Sequence, residues 1–284
     1  MRVKAARSLL FLPATSPQLL AKATERGADA LIVDLEDSVP ADRKAEARPL
    51  AAAALRALAA RGAEVLLRVN ADPALLDGDL AVLPRDVPVT VMLPKVEDAV
   101  QVDALAAKLG ALGHDCLIAA LIETPRGLLD VARIAAAPRV CALGFGAEDF
   151  AAALGLAPLP VTLATPAQLV GLAAHAHGHA FWGLAGSVAE TVDMEAFGTL
   201  VRLSRQLGFT GSVCIHPRQV PVVNEGFGPT PEELAWARQV VEAAEAARAR
   251  GEGAFLLQGR MIDRPIEDRA RRWLALTPEG ARSS

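Results

Sequence analysis

The sequence is poor in cysteine, and the few cysteines that it has lie in apolar surroundings. Its 284 residues include only Cys116, Cys141 and Cys214, each inside or at the start of an apolar run. A small, odd number of cysteines in such positions is typical of core residues in a reducing compartment and argues against a disulfide framework. We therefore expect a cytoplasmic protein.

Long apolar segments and blocks of positive charge are also missing. No segment approaches the roughly 20 apolar residues that a membrane-spanning helix needs. Residues 9–12 are too short for the hydrophobic region of a secretion signal, because Pro13 ends them. The chain has 29 Lys and Arg against 33 Asp and Glu, which gives a net charge of -4. Membranes and nucleic acids are therefore poor candidates as partners.

Hydrophobic residues make up 52% of the chain, enough for the core of one large domain. They form short runs that stop abruptly at polar or charged residues. The residues at or just after the ends of these runs are Asp34, Arg68, Lys95, Glu123, Asp149 and His216. Buried strands of a parallel β/α fold read as continuous apolar runs, and chemistry takes place at their carboxyl ends. The sequence therefore predicts that these side chains converge on one face.

Strands and helices alternate eight times along the chain. The predicted strands are residues 8–12, 30–34, 65–69, 89–93, 116–122, 140–145, 179–183 and 212–215. The predicted helices between them include 43–61, 125–137, one that begins at Thr165, and 193–207. Eight alternations over about this length predict a closed (β/α)8 barrel, or TIM barrel, and not an open doubly wound sheet. Residues 144–146 agree with this, because they lack the third glycine of a dinucleotide-binding loop.

The pattern changes after the eighth strand, which divides the chain into a barrel at residues 1–225 and a C-terminal extension at 226–284. In the extension, residues 231–250 should form one long helix and 254–257 a strand. A barrel that is already closed does not need this segment to complete its core. We expect the extension to pack on the barrel or on a neighbouring subunit and to cover an active-site mouth.

Two carboxylates at the ends of successive strands, Glu123 and Asp149, should be neighbours at the mouth of such a barrel. They have no His or Cys paired with them and therefore favour a hard cation, for which Mg2+ is the natural choice because it uses one or two carboxylates. Arg68 on the third strand has the guanidinium fork that clamps a substrate carboxylate. The sequence thus favours a site for an organic acid. The alternative is that Glu123 is a solvated loop carboxylate.

Eight short motifs follow one another in the chain at residues 7–13, 34–39, 68–70, 93–97, 122–124, 144–149, 215–217 and 261–263. Together they resemble the citrate lyase beta-subunit family of the HpcH/HpaI aldolase superfamily. Each motif alone is weak, but their common order is specific and they span almost the whole chain. The resemblance implies a Mg2+-dependent (β/α)8 barrel that assembles as a homotrimer or hexamer.

The resemblance also implies which residues bind the metal and the substrate. By it, Glu123 and Asp149 are the metal ligands, and Glu123 also belongs to the substrate site. Arg68 binds the substrate carboxylate. Arg7 and Lys95 complete the expected set of substrate-binding residues. Because the chemistry requires no Schiff base, an electrostatic or structural role is the alternative for Lys95.

Three further acids are implied to act in catalysis. Glu36 and Asp37 form a second acidic wall, and one of them takes the substrate's hydroxyl proton directly or through water. Asp263 is implied to enter the site from an adjacent subunit and to return a proton to the enolate carbon.

The activity that the resemblance implies is cleavage of citryl-CoA, or a related 2-hydroxy acid thioester, to acetyl-CoA and oxaloacetate. The expected partners are therefore oxaloacetate or a similar 2-keto acid, and a CoA or acyl-carrier thioester. Alternatives with the same metal site are a malyl-CoA lyase, a citramalyl-CoA lyase and a malyl-CoA thioesterase. An alternative of another class is a barrel that binds a keto acid, or a complex-assembled subunit, without independent turnover.

The chain departs from the family pattern at two places. Relatives usually carry a Glu and an Arg where residues 164–168 are uncharged here, and acidic residues at the end of the seventh strand, where 182–187 are neutral. The metal-binding floor is therefore expected to be retained and the side that meets the thioester to be altered. The identity of the thioester carrier stays open.

Overall fold

The computed structural model of the chain describes residues 2–276. The chain divides into two compact units, Met1–Phe227 and Gly228–Ser284. Within residues 2–276, no helix combines the length and the apolar character that crossing a bilayer requires.

Eight parallel strands form the centre of the first unit. They are β1 (Ser8–Pro13), β2 (Ala30–Asp34), β3 (Glu64–Arg68), β4 (Thr90–Leu93), β5 (Leu117–Ile122), β6 (Val140–Phe145), β7 (Ala180–Gly183) and β8 (Ser212–Cys214). Hydrogen bonds connect β7 through β6, β5, β4, β3, β2 and β1 to β8. A single parallel bridge between Trp182 and Gly211 joins the two ends of this order. The predicted (β/α)8 barrel is confirmed, and its last seam is the weakest.

Helices follow the strands around the barrel. They are α1 (Pro17–Ala21), α2 (Lys44–Ala60), α3 (Pro73–Leu80), α4 (Ala99–Ala111), α5 (Pro125–Leu129), α6 (Val131–Ala136), α7 (Ala147–Leu154), α8 (Pro160–Ala176), α9 (Met194–Gln206) and α10 (Gln219–Phe227). Local sequence explains several of their starts. Asp98 and Gln101 form a reciprocal capping box at α4, and the Thr124 side chain accepts a hydrogen bond from the backbone N–H of Gly127 at α5.

Two helix predictions were wrong in their bounds. The helix predicted at 125–137 is divided into α5 and α6 at Asp130, whose side chain accepts a hydrogen bond from the backbone N–H of Ala99 at 2.9 Å. The helix predicted from Thr165 begins earlier, because Pro160 occupies its first turn, where a missing N–H costs nothing. Pro166 then lies inside α8.

The strands are buried on both faces, as their continuous apolar runs predict. Leu31 and Val33 of β2 belong to the layer between barrel and helices, and Ile32 belongs to the barrel interior. The three cysteines are all free and buried. This agrees with their interpretation as core residues.

The second unit contains α11 (Pro231–Ala249), a hairpin of β9 (Phe255–Leu257) and β10 (Arg260–Ile262), and α12 (Arg264–Ala275). Its core is small and consists of Ala237, Val240, Ile262 and Ala270 with partly buried aromatic and aliphatic neighbours. Thr230 and Glu233 form a capping box at the start of α11. The predicted packing of this unit over an active site stays a prediction.

Candidate active site

Four successive strands, β2 to β5, present charged side chains at or just beyond their carboxyl ends. The parallel register places Asp34 directly beside Arg68. Lys95 follows the end of β4, and Glu123 follows the end of β5. The predicted convergence is therefore realised for Asp34, Arg68, Lys95 and Glu123 on one rim of the barrel.

Arg68 is the centre of this group. Its Nε and Nη2 atoms donate hydrogen bonds to the two carboxylate oxygens of Asp34 at 2.7 and 2.8 Å. Its Nη1 atom lies 2.9 Å from Oε2 of Glu36 and 3.7 Å from Oδ2 of Asp37, and the guanidinium stacks over Phe11 at 4.4 Å. Burial lowers the pKa of Arg68, but the hydrogen bonds and charge of Asp34 outweigh it and raise the pKa. Arg68 is therefore charged.

Asp34, which the sequence analysis places at a strand end without a role, is the counter-ion of Arg68. It is fully buried, and besides Arg68 it binds the backbone N–H groups of Glu36 and Ser38 at 2.9 and 3.1 Å. Burial raises the pKa of Asp34, but the hydrogen bond and charge of Arg68 more than offset this and lower it. The sequence contains a signal for this pair: Asp34 ends the apolar strand β2, and Arg68 ends the neighbouring strand β3.

Glu36 bridges two cations. Its Oε1 atom accepts a hydrogen bond from Nζ of Lys95 at 2.5 Å. Its Oε2 atom faces Arg68 as an ion pair at 2.9 Å without hydrogen-bond geometry, so it is a buried acceptor lacking a hydrogen-bond donor among residues 2–276. Burial raises the pKa of Glu36, and Arg68 and Lys95 counteract that only in part.

Lys95 has an unusual backbone. Its φ angle of 52° is left-handed, a conformation that is uncommon outside glycine and often marks functional sites. In this conformation the backbone N–H donates to Oε2 of Glu123 at 2.7 Å. Burial lowers the pKa of Lys95, but the hydrogen bond and charge of Glu36 raise it overall. One residue therefore touches carboxylates from two other strands.

Glu123 is 5% exposed, which contradicts its alternative interpretation as a solvated loop carboxylate. Burial, together with the charges of Asp149 and Glu36, raises its pKa to about 7. A Cβ atom at Gly146 would lie 2.6 Å from Oε1 of Glu123, so only glycine leaves room for this carboxylate. Asp149 lies in the first turn of α7. Asp149 is exposed and does not line the cavity described below, but it is near enough for its charge to raise the pKa of Glu123. Carboxylates of this kind, one of them disfavoured as an isolated anion, suit a hard divalent cation such as Mg2+.

A cavity of about 460 Å³ opens beside these residues within the first unit. Its polar lining includes Asp37, Arg68, Glu123 and Glu148, whereas Glu36 does not contribute to the lining. Much of the remaining wall is apolar and is formed by Phe11, Pro13, Leu121, Phe145, Trp182, Leu184, Val188, Val213 and Ile215. The cavity therefore combines one cation and several carboxylates with an apolar wall.

Arg7 is not part of this group. It precedes β1 and therefore lies at the amino end of the barrel strands, where Nε pairs with Asp29 at 2.9 Å and Nη1 donates to the carbonyl of Asn224 at 3.1 Å. The structure thus places Arg7 at the amino end of β1, whereas the other predicted residues lie at the carboxyl ends of their strands, and Arg7 has no part in the proposed site.

Asp263 lies in the second unit, where its side chain accepts a hydrogen bond from the backbone N–H of Ile266 at 3.4 Å and caps α12.

An eight-stranded parallel barrel with an arginine, a lysine and buried carboxylates at its carboxyl rim defines the class of protein: a barrel with an enzyme-type site for an anionic ligand and a hard cation. Comparison with known proteins identifies the particular family. The chain belongs to the HpcH/HpaI aldolase/citrate lyase family, whose model matches residues 7–217. This confirms the resemblance to the family, and seven of the eight motifs fall within the matched residues.

Curated relatives match over most of the chain. A citrate lyase subunit beta-like protein of Deinococcus radiodurans is 38% identical over 276 residues, which cover 95% of this chain and 96% of the relative. A (3S)-malyl-CoA thioesterase of Cereibacter sphaeroides is 34% identical and covers 90% of this chain and 89% of its own length. A mitochondrial citramalyl-CoA lyase of Homo sapiens is 31% identical, with 95% of this chain and 85% of the relative covered.

Solved structures show the same similarity. The protein CitE from Mycobacterium tuberculosis, in complex with magnesium, acetoacetate and coenzyme A, has a TM-score of 0.77 and 34% identity, and the match covers 96% of this chain and 98% of that one. A citrate lyase beta subunit from the same organism, complexed with oxaloacetate and magnesium, has a TM-score of 0.66 and 33% identity over 81% of this chain and 100% of the other.

Proposed function

We propose that the protein is a Mg2+-dependent carbon–carbon lyase that cleaves citryl-CoA, or a related 2-hydroxy acid thioester, to acetyl-CoA and oxaloacetate or a similar 2-keto acid. The observation that carries the proposal is the buried Glu123 carboxylate, whose pKa is raised to about 7 beside Asp149, at the wall of a cavity that also contains Arg68. Similar proteins crystallised with magnesium, oxaloacetate and coenzyme A support it.

Glu123 and Asp149 would hold Mg2+, which supplies electrophilic stabilisation of the oxygens of the hydroxy acid. Arg68 neutralises a substrate carboxylate from the neighbouring strand. Between the two candidate proton acceptors, Asp37 is favoured, because it lines the cavity with a side chain that is 60% exposed. Glu36, in contrast, is buried and occupied by two cations.

The rest of the proposal follows the family resemblance. Asp263 acts from an adjacent subunit as the acid that protonates the enolate carbon, and the protein is a cytoplasmic homotrimer or hexamer. The human citramalyl-CoA lyase and the bacterial malyl-CoA thioesterase among the relatives support citramalyl-CoA or malyl-CoA as second candidates for the substrate. A barrel that binds keto acids without turnover is the remaining alternative.

The test is calorimetric titration of Mg2+ and oxaloacetate into the wild type and the Glu123→Gln variant. We expect the variant to fold and to lose metal-dependent oxaloacetate binding, because the amide is a poorer ligand for a hard cation. Glu97→Gln is the matched control, since Glu97 follows β4 but makes only a weak ion pair with Arg126 at 3.7 Å. Unchanged oxaloacetate affinity in Glu123→Gln would contradict the assignment.

The reaction itself is tested by following consumption of the substrate and identifying the products in parallel assays with citryl-CoA, malyl-CoA and citramalyl-CoA. Release of acetyl-CoA and a 2-keto acid identifies a lyase, and release of free CoA and an intact hydroxy acid identifies a thioesterase. Metal-dependent binding without either product would support the non-catalytic alternative.

A further inference from the structure

The rim around Arg68 contains more negative than positive charge. The guanidinium faces three carboxylates, those of Asp34, Glu36 and Asp37, at 2.7, 2.9 and 3.7 Å. One cation among three anions leaves two negative charges in excess. Arg68 with these neighbours alone would present a negative site and would repel the carboxylate of an organic acid.

Lys95 supplies a positive charge at this point. Its Nζ atom lies 2.5 Å from Oε1 of Glu36 and 3.5 Å from Oδ1 of Asp37. Glu36 presents its other oxygen to Arg68, so a single carboxylate is shared by two cations. Lys95 does not contribute to the lining of the cavity, whereas Arg68 does. The side chain of Lys95 thus acts on Arg68 through Glu36.

The backbone N–H of Lys95 makes a contact that does not depend on its side chain. Its N–H donates to Glu123, one of the carboxylates proposed to hold the metal. A substitution of the side chain keeps this N–H. Methionine and arginine have the same steric cost as lysine at a φ of 52°. Lys95→Met therefore removes the positive charge and Lys95→Arg changes the shape of the cationic group, while neither substitution alters the backbone.

Resting on the function proposed above, we propose that Lys95 is a positioning residue that offsets the acidic excess through Glu36 and so keeps Arg68 free to bind the carboxylate of the 2-keto acid, without touching the substrate. This differs from the substrate-binding role that the family resemblance implies for Lys95.

The experiment is calorimetry on the full chain with two probes, Mg2+ alone and oxaloacetate at saturating Mg2+. Lys95→Met should weaken oxaloacetate binding about tenfold, the order expected for one uncompensated charge a few ångströms from an anion. Mg2+ binding should stay equal or become tighter, because a cation gains when a positive neighbour is removed. Lys95→Arg should retain most of the oxaloacetate affinity, because it keeps the charge.

The decisive variant is the double substitution Lys95→Met with Glu36→Gln. Glu36→Gln removes the negative charge that Lys95 balances, so oxaloacetate affinity should return towards that of the wild type. A lysine that contacts the substrate directly would leave the double variant as weak as Lys95→Met, and this result would overturn the proposal. Weaker Mg2+ binding in Lys95→Met would also overturn it, because it would show that the side chain holds the Glu123 loop.

Lys108→Met is the matched control. Lys108 is a 42% exposed side chain that pairs with the carboxylate of Asp77, while the Lys95 side chain is 44% exposed. Lys108→Met should bind both probes as the wild type does.

A wild type that shows no Mg2+-dependent oxaloacetate binding would refute the proposed function and this inference together. Normal wild-type binding without rescue in the double variant would refute the inference alone.

Discussion

Two buried carboxylates of the site have pKa values that are shifted in opposite directions. Burial raises the pKa of both, but Asp34 has Arg68 as a hydrogen-bonded counter-ion, which lowers its pKa overall. For Glu123, burial and the charges of Asp149 and Glu36 outweigh the backbone N–H of Lys95 and the charge of Arg68, and its pKa rises to about 7. Asp34 is therefore a permanent anion that fixes Arg68, whereas Glu123 is a carboxylate that a cation would stabilise.

Replacing Asp34 by asparagine keeps the side-chain shape and removes the charge that is paired with Arg68. We expect the free energy of unfolding in urea to fall by about 3 kcal/mol, the usual cost of leaving a buried charge without its partner. Asp86→Asn is the control, because Asp86 pairs with Arg56 at 3.1 Å but is 66% exposed, and such pairs contribute at most about 1 kcal/mol. Equal losses in the two variants would show that burial does not decide the strength of the pair.

The raised pKa of Glu123 makes stability depend on pH in the metal-free protein. The folded protein binds this proton more tightly than the unfolded chain, so the contribution is complete below pH 4.5 and is lost as pH rises through about 7. The shift corresponds to roughly 3 kcal/mol. Urea unfolding in EDTA between these pH values should show the decline in the wild type and not in Glu123→Gln. Parallel pH profiles of the two proteins would contradict the shift.

At the scale of elements, close contacts between neighbouring loops set the positions of the strand ends. A Cβ atom on Gly127 would lie 2.2 Å from the carbonyl oxygen of Val96, so α5 begins directly against the loop that contains Lys95.

A second such contact is made by Gln219 of α10, which is fully buried. Its Oε1 atom accepts from the backbone N–H of His216 at 3.1 Å and its Nε2 atom donates to the carbonyl of Val188 at 2.7 Å. The site thus rests on backbone contacts between elements that are distant in sequence.

Gly211, which forms the bridge to Trp182 of β7 and also packs against the segment before β1, offers a prediction at this scale. A Cβ atom at Gly211 would lie 2.5 Å from the carbonyl oxygen of Arg7 and 2.6 Å from that of Ala6, both parts of the backbone that cannot turn away. We expect Gly211→Ala to lower the free energy of unfolding by about 3 kcal/mol, the upper range for overpacking.

Gly110→Ala in α4 is the control for that measurement, because the nearest atom to its Cβ would be 3.9 Å away. Alanine there should be neutral or stabilise by up to about 1 kcal/mol, since glycine is a poor helix former. A Gly211→Ala protein as stable as Gly110→Ala would mean that the seam adapts to the added methyl group.

At the scale of the whole molecule, the first unit contains the candidate site and the second contains Asp263. The Asp263 side chain caps α12, and asparagine is also a good helix cap. Asp263→Asn should therefore fold normally and bind Mg2+ and oxaloacetate, but lose roughly a hundredfold or more in turnover, as removal of a positioned acid or base does. Steady-state kinetics with an established thioester substrate measure this, and full activity would refute the catalytic role.

Assembly is tested with the same variant. Light scattering at micromolar concentration should report a trimer or hexamer. In mixed oligomers of Asp263→Asn with Arg68→Ala, activity should be partly restored, because some sites then combine an intact Arg68 from one subunit with an intact Asp263 from its neighbour. Verified mixed oligomers without activity would refute a site shared between subunits.

The barrel could be predicted from the sequence because its strands are buried on both faces and stop at polar or charged residues. This makes a run such as residues 116–122 both apolar and sharply bounded before Glu123. The sequence could not reveal the division at Asp130, where the side chain binds the backbone N–H of Ala99 on another element, a contact that no local pattern contains. The sequence offers two Pro-containing helix starts here, and α8 begins at Pro160, so that Pro166 lies inside the helix.

For the site, the sequence alone determined which residue types reach the carboxyl rim, because strand order and direction place Arg68 and Glu123 there. Only the tertiary structure decided how the charges are shared. Asp34 holds Arg68 across a strand pair, Lys95 takes one oxygen of Glu36, and Arg7 lies at the other end of the strands. Pairing of charges depends on distances of a few ångströms between chain segments far apart in sequence, and burial then sets the pKa of each group.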